Sequence, residues 1–203
     1  MTNNNKSTAL IVPGIGYTAD RSLLYFAGKL AEKAGFGTVR IRLDGFEKGI
    51  KGDKEKLDRA ISHGYGLLMD QLPDQESLFI SKSIGTALSL MADLEKKIGA
   101  AHILFTPLPE TISLLDEILS AQGEERAGDF LVFHGKDDPW ARDNSGMRAE
   151  AERLGIAYYE IDGANHSLET GDPLLDLCNQ QGIMEIVKDF LGKKEGSGAV
   201  LAN

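Results

Sequence analysis

The feature that most constrains the fold of this chain is a regular alternation of short apolar runs with longer segments of helical spacing. Six runs have the length and composition of strands: Ala9–Val12, Thr38–Leu43, Leu78–Ile80, Ala101–Phe105, Phe130–Phe133 and Ala157–Ile161. Three of them, Ala9–Val12, Leu78–Ile80 and Phe130–Phe133, are continuously apolar, which is typical of strands covered on both faces, whereas Thr38–Leu43 alternates. Strands that alternate with helices form parallel sheets. The sequence therefore predicts an α/β fold, a doubly wound, mostly parallel six-stranded sheet with helices on both faces.

The length and composition limit the domain count and the classes of partner. A chain of 203 residues fits one domain, so residues 1–195 are expected to form a single domain and residues 196–203 a disordered tail. The net charge of -9, with no basic run, argues against nucleic acid or an anionic membrane as the main partner. Cys178 is the only cysteine, which excludes an intramolecular disulfide and a cysteine-based zinc site. Because the amino terminus lacks the apolar core of a signal peptide, we expect a cytoplasmic protein.

The segments between the strands predict helices and one polar loop. Asp20 is well placed to cap a first helix that begins at about Arg21. Residues 45–55 are rich in lysine and glycine and are predicted to form a loop. The last helix is expected to run from about Gly182 to Leu191.

The segment from Glu76 to Met91 combines a strand, an abrupt turn and a helix. Within it, residues 81–85 read Ser-Lys-Ser-Ile-Gly and approximate the pattern Gly-x-Ser-x-Gly, in which a serine nucleophile lies on a sharp strand-to-helix turn. The residues two before and two after the nucleophile must be small because they nearly touch. Gly85 meets this demand fully and Ser81 less well. Taken alone, the segment fits equally well an ordinary connection that is rich in serine.

Reactive side chains follow three of the predicted strands. Ser83 comes after the third strand, Asp138 after the fifth and His166 after the sixth. Ligands bind at the carboxyl ends of the strands in sheets of this kind, and Ser, Asp, His is the chain order of the α/β-hydrolase triad. Residues 134–139 resemble the acid loop of that superfamily, whose acid lies three residues after the glycine, and this spacing selects Asp138 over Asp137. Residues 163–169 resemble its histidine loop.

The resemblance spans the chain from the first strand to the last helix, and the chain is identified as a small member of the α/β-hydrolase superfamily without a large cap insertion. It implies a minimal α/β-hydrolase fold in which Ser83 is the nucleophile, His166 its base and Asp138 the acid that orients the histidine. It also implies oxyanion donors at the backbone N–H groups of Ile15 and Ile84. The activity implied is cleavage of a small-molecule acyl ester or thioester through an acyl-enzyme, with no metal or organic cofactor.

Some positions around this site need a separate interpretation. Pro13 stands where many members of the superfamily have histidine, and Ser81 replaces the first glycine of the turn, but the oxyanion donors are backbone groups and remain. Tyr17 comes directly after Gly16 in the loop of residues 13–18, called the oxyanion loop, and Trp140 follows the acid loop, so both are predicted to line the substrate pocket. Lys82 is predicted to be solvated or to line the site.

The other three histidines are predicted to have structural roles. His102 lies in the fourth strand and His63 in a helix, where a lone histidine is usually a packed or solvated side chain. His134 is expected to support the acid loop rather than to take part in the chemistry.

Two alternatives to a hydrolase remain open. Gly14–Ala19 also fits the dinucleotide fingerprint Gly-x-Gly-x-x-Gly/Ala, and Asp44 at the end of the next strand could hold a ribose, as in an NAD(P)-binding Rossmann-type oxidoreductase. This interpretation leaves the segments around Ser83, Asp138 and His166 unexplained. The other alternative is a catalytically silent protein that uses the fold to bind a small ligand or a protein partner.

The spacing between the fourth and fifth strands bears on the substrate. Only Thr106 to Asp129 separates them, which leaves room for one helix whose apolar stripe is predicted to pack in the core. With no roof over the site, little apolar area would be available to a long chain. We therefore expect an open site that favours short acyl groups.

Overall fold

A computed structural model describes residues 7–50, 52–73, 77–109, 111–141 and 144–195, so the predicted tail at residues 196–203 lies outside the described residues. The strands are β1 Thr8–Val12, β2 Gly37–Arg40, β3 Leu78–Lys82, β4 Ala101–Phe105, β5 Phe130–Gly135 and β6 Ala157–Ile161. The helices are α1 Ser22–Lys33, α2 Lys54–Met69, α3 Ile84–Lys96, α4 Thr111–Gln122, α5 Asn144–Arg153 and α6 Pro173–Glu195, with a 3₁₀ helix at Glu124–Asp129. The strands form one six-stranded sheet in the order β2-β1-β3-β4-β5-β6, and each pair of neighbours is parallel. The predicted doubly wound α/β sheet is confirmed.

The helices cover both faces of the sheet because successive residues of a strand point to opposite sides. In β3, Leu78 and Ile80 pack in the cluster formed with α1 and α6, whereas Phe79 packs in the cluster formed with α2 and α3. On that second face, Leu115 and Ile118 of α4 are fully buried over β4 and β5, so this helix packs in the core as predicted. All five residues of β3 are buried, which fixes the position of its carboxyl end from both faces.

A buried polar cluster lies at the amino end of β4, on the opposite edge of the sheet from the strand exits. His102 Nε2 is 2.9 Å from Asp93 Oδ2, and the His102 ring is stacked between Phe79 and Phe130. Arg126 Nη2 donates to Asp93 Oδ2 at 3.2 Å and to the carbonyl of Ala100 at 2.5 Å. These contacts give His102 the structural role that the sequence predicts.

The ends of two helices differ from the prediction. The N-cap residue of α1 is Arg21, and it makes no side-chain capping bond, whereas the Asp20 carboxylate accepts from Arg40 at 2.5 Å. The prediction that Asp20 caps α1 is therefore wrong, because Arg40 on β2 binds its carboxylate instead. Helix α6 begins at Pro173 rather than near Gly182, since the Asp172 side chain accepts from the N–H of Leu174 at 2.9 Å and caps the helix. Among the described helices, including the 23-residue α6, none has the length and apolar character needed to cross a bilayer.

Residues 45–50 are more firmly attached to the core than a polar loop would be. Ile50 is 8% exposed, and both Ile50 and the half-buried Phe46 pack against the cluster of α2 and α3. His63 Nε2 lies 2.8 Å from the carbonyl oxygen of Asp44, which ties the start of the segment to α2. The segment is thereby held beside the carboxyl ends of the strands.

Candidate active site

The residue after β3 occupies a strained turn. Ser83 has φ 54° and ψ -127°, and α3 begins at the next residue, Ile84. A residue with a side chain rarely adopts a positive φ, and such strain is usually found at functional sites. The Ser83 N–H donates to the carbonyl of Phe105 at 3.0 Å, which anchors the turn to the end of β4. The sharp strand-to-helix turn that the sequence predicts is present.

Close packing explains why small residues flank this turn. A Cβ atom at Gly85 would lie 2.5 Å from the carbonyl oxygen of Pro13 and 2.6 Å from that of Val12, so no side chain fits there. A Cβ atom at Gly14 would lie 3.0 Å from the Cβ of Ser83, which shows how near the oxyanion loop comes to Ser83. Ser81 does fit, because it points into the core and its Oγ accepts from Ser89 Oγ at 3.1 Å.

The three side chains at the strand exits form one continuous line of hydrogen bonds. Ser83 Oγ lies 2.8 Å from His166 Nε2, and His166 Nδ1 lies 2.7 Å from Asp138 Oδ2. Asp138 is 2% exposed, and its other oxygen accepts from the N–H of Trp140 at 2.9 Å. Burial raises the pKa of the Asp138 carboxyl, but the hydrogen bond and charge of His166 outweigh burial and the pKa falls below its usual value. The carboxylate is therefore ionised beside the imidazole, whereas its neighbour Asp137 is exposed.

The acid loop and the histidine loop hold each other in place. The Asp137 N–H donates to the carbonyl of Ala164 at 2.9 Å. A Cβ atom at Gly135 would lie 2.3 Å from that same oxygen and 2.5 Å from the carbonyl oxygen of Asn165, so the two loops touch through backbone atoms. The position of His166 thus depends directly on the end of β5.

The two predicted oxyanion donors lie beside Ser83. Both Ile15 and Ile84 line the same cleft as Ser83 and His166. The Ile84 N–H is the first of α3 and so has no intrahelical acceptor. Across the described part of the chain, no hydrogen bond uses the N–H of Ile15 or of Ile84. Both N–H groups are thus unused by the described residues, as an oxyanion donor requires.

The cleft has a volume of about 470 Å³ and is largely apolar. Its apolar walls are formed by Ile15, Phe46, Ile50, Leu57, Leu108 and Trp140. The cleft has more apolar wall than the sequence predicts, because residues 46–50 and Leu57 line it. Sequence reasoning missed this wall; its signal was the pair of apolar residues Phe46 and Ile50 within an otherwise polar segment.

The structure brings only one of the two predicted pocket aromatics into the cleft. Trp140 lines it, with its ring 5.8 Å from that of His166. Tyr17 lies outside the cleft: it is 8% exposed, packs in the core cluster of α1 and α6, and its hydroxyl accepts from the Leu23 N–H at 3.3 Å. Burial raises the pKa of the Tyr17 hydroxyl. Lys82, predicted to be solvated or to line the site, is instead 1% exposed in the core.

The His134 ring lies next to Asp138 but makes no hydrogen bond with the described residues, so its support of the acid loop stays a prediction. It is fully buried in β5, and its Nε2 lies 3.6 Å from Asp138 Oδ2. Burial lowers the pKa of His134 to about 4, against a smaller opposing effect of the Asp138 charge. It is therefore neutral near pH 7.

The residues of the dinucleotide fingerprint do line a separate groove together with Asp44 and Arg40. However, the loop closes on itself, since the Gly14 N–H donates to the carbonyl of Tyr17 and the Tyr17 N–H donates to that of Gly14, both at 3.2 Å. Two of the N–H groups that a phosphate-binding turn would offer to its ligand are therefore already used. This geometry weighs against the Rossmann-type alternative.

The sequence matches no protein-family model and no curated protein. Among similar solved structures is a protein of unknown function from Agrobacterium tumefaciens, provisionally assigned as an α/β hydrolase, with 19% identity, a TM-score of 0.58, and coverage of 95% of this chain and 87% of that one. An α/β serine hydrolase homologue from Coxiella burnetii has 15% identity, a TM-score of 0.57, and coverage of 90% and 84%. The esterase domain of a Rhodothermus marinus protein has 15% identity, a TM-score of 0.55, and coverage of 93% and 88%.

Proposed function

Given the α/β-hydrolase fold that these likenesses establish, we propose that this chain is a serine hydrolase that cleaves a small acyl ester or thioester through an acyl-enzyme. The observation that carries the proposal is the continuous hydrogen-bonded line from Ser83 through His166 to the buried, ionised Asp138. A serine hydroxyl is a weak nucleophile unless a base accepts its proton, and this arrangement supplies the base and the group that orients it.

In the proposed reaction, Ser83 Oγ forms a bond to the carbonyl carbon while its proton passes to His166 Nε2. Asp138 accepts the hydrogen bond from Nδ1 and stabilises the imidazolium. The oxyanion accepts hydrogen bonds from the N–H groups of Ile15 and Ile84, each worth about 3 kcal/mol in comparable sites. His166 then protonates the leaving alkoxide or thiolate. Water, deprotonated by His166, releases the acid and restores the Ser83 hydroxyl.

The cleft favours acyl groups of medium length over acetyl. Each methylene that is fully buried against its walls contributes about 0.8 kcal/mol, or roughly fourfold in binding. The wall formed by Phe46, Ile50 and Leu57 provides this apolar area next to Ser83. The proposed substrate is therefore an ester or thioester with an acyl chain of about four to eight carbons, a longer chain than the sequence alone predicts.

Labelling with a fluorophosphonate tests the proposal. Wild type should be labelled once, at the peptide that contains Ser83, and Ser83→Ala should not be labelled. Ser81→Ala is the matched control: the same change two residues away, at a buried hydroxyl facing the core, should leave labelling intact. A wild-type protein that resists the reagent, or labelling that persists in Ser83→Ala, contradicts the proposal.

A further inference from the structure

Lys82 is a buried cation directly beside the proposed nucleophile, and the reaction described above does not use it. It is the last residue of β3 and is 1% exposed. A lysine is almost never fully buried unless its ammonium has partners that replace water. We therefore expect polar or aromatic partners around the Lys82 ammonium.

The Lys82 ammonium contacts three different loops at the strand exits. Nζ donates to Thr106 Oγ1 at 2.6 Å, just after β4, and to the carbonyl oxygen of His166 at 2.5 Å. It also lies 4.7 Å from the centroid of the Tyr17 ring, in the oxyanion loop. An ammonium has three N–H donors, so the two hydrogen bonds and the aromatic face provide a partner for each of them.

Thr106 provides independent evidence that this contact is maintained against strain. Its φ is 45°, in the left-handed region that a β-branched residue rarely enters. Strain of this kind persists only when the surroundings enforce it. The Thr106 N–H donates to the carbonyl of Phe133 at 2.8 Å, and its hydroxyl then meets the Lys82 ammonium.

Burial and the neighbouring carboxylates shift the pKa of Lys82 in opposite directions. Burial lowers the pKa of Lys82 to about 7, while the carboxylates of Asp138 and Glu169 favour the charged form. Tyr17, His134 and His166 are further titratable groups in the adjoining segments. The Tyr17 ring lies against the ammonium, burial raises the pKa of the Tyr17 hydroxyl, and the Lys82 charge lowers the pKa of His134. The ammonium is thus close to a balance between its charged and neutral forms near neutral pH.

Resting on the proposed function, we propose that Lys82 is a positioning residue: its ammonium ties the histidine loop to the end of β4 and to the oxyanion loop, and so keeps His166 aligned with Ser83. The hydrogen bond reaches the backbone of the very residue that must accept the Ser83 proton. Charge-assisted hydrogen bonds are about twice as strong as neutral ones. Loss of the proton from Lys82 therefore loosens the tether, and the reaction should slow on the alkaline side of neutrality.

The test compares second-order rates of fluorophosphonate labelling between pH 5.5 and 9.5. In wild type the rate should fall as the pH rises above about 7, where Lys82 loses its proton. Lys82→Met keeps the length and apolar volume of the side chain but removes the ammonium. It should react at least about tenfold more slowly at pH 6.5, since a small misplacement of a base is costly, and it should lose the alkaline decline. Thr106→Val should show a smaller loss and an alkaline decline shifted to lower pH, because the charged form loses one acceptor.

Arg126→Met is the matched control, because it also removes a largely buried cation that donates to a backbone carbonyl, at the opposite edge of the sheet. It is expected to reduce stability while leaving the pH profile of labelling unchanged. The proposal is overturned if Lys82→Met keeps the wild-type rate and profile, or if Arg126→Met alters the profile equally.

An activity-free measurement separates this proposal from the proposed function. The Leu168 N–H donates to the carbonyl of Asn165 within the histidine loop, and its hydrogen exchange should accelerate in Lys82→Met and not in Arg126→Met. If wild-type Ser83 is not labelled at any pH, the proposed function fails. Hydrogen exchange at Leu168 then tests by itself whether Lys82 holds the histidine loop, and unchanged exchange in Lys82→Met would refute that role.

Discussion

Gly135→Ala is expected to impair the site although it changes no reactive group. The added Cβ would lie 2.3 Å from the carbonyl oxygen of Ala164, whereas contacts under 3.0 Å are essentially never observed, so the histidine loop must move by at least about 0.7 Å. His166 is two residues further along this loop, and its Nε2 must stay near 2.8 Å from Ser83 Oγ.

The magnitude follows from this displacement. A misplacement of about 1 Å in a reacting geometry can cost roughly 100-fold in rate, so we expect labelling of Ser83 to slow by about 30- to 100-fold. Overpacking also destabilises by about 1–3 kcal/mol. Rates should therefore be measured well below the melting temperature, with the folded fraction checked by circular dichroism.

Gly66→Ala is the control for the same chemical change, since a Cβ at this position in α2 meets nothing within 4 Å. Alanine has the higher helix propensity, so the control should keep full activity and gain about 0.5–1 kcal/mol in stability. If Gly135→Ala reacts as fast as wild type, the backbone contact between the acid and histidine loops does not position His166, and our account of the site geometry is wrong.

Three further predictions concern the acid, the cleft and the pH dependence of stability. Asp138→Asn should lower kcat by about 10³- to 10⁴-fold through loss of histidine orientation, whereas the exposed Asp137→Asn should change it less than threefold; the reverse ranking would place the acid one residue earlier. On nitrophenyl esters, kcat/KM should rise by roughly ten- to 100-fold from the acetyl to the hexanoyl ester. Leu57→Ala should reduce this rise. A fall from acetyl to hexanoyl would show that the cleft does not bind the acyl chain. Burial lowers the pKa of His134 from 6.5 to about 4, so between these pH values the unfolded chain binds a proton that the folded chain does not. The free energy of unfolding should therefore fall by about 3 kcal/mol as the pH drops through this window. If urea titrations show an equally steep fall for His134→Asn, His134 is not the group responsible.

The fold and the three strand-exit residues could be predicted because their signals are local. Apolar runs identify the strands, and Ser83, Asp138 and His166 each lie within a few residues of the end of one. The order of the strand exits then brings them to one edge of the sheet.

The errors of the sequence interpretation come from contacts between residues that are distant in the chain. Lys82 was expected at the surface or in the site, but its partner His166 lies 84 residues away and no local pattern indicates it. Asp20 was expected to cap α1, but Arg40 on the neighbouring strand takes its carboxylate. Tyr17 lies in the oxyanion loop and was expected to line the pocket, yet its ring turns towards Leu23 and the core. In each case tertiary contacts override the local preference.

The most direct test of the central claim is to trap the covalent intermediate with a carbamate ester, because carbamoyl-enzymes hydrolyse slowly enough for mass spectrometry. The account predicts that one carbamoyl group is added per chain, located on the peptide that contains Ser83. It also predicts that the adduct is absent from Ser83→Ala and greatly reduced in a His166→Ala variant, whose serine lacks its base. An unmodified wild-type protein, or an adduct on another residue such as the exposed Cys178, would contradict it.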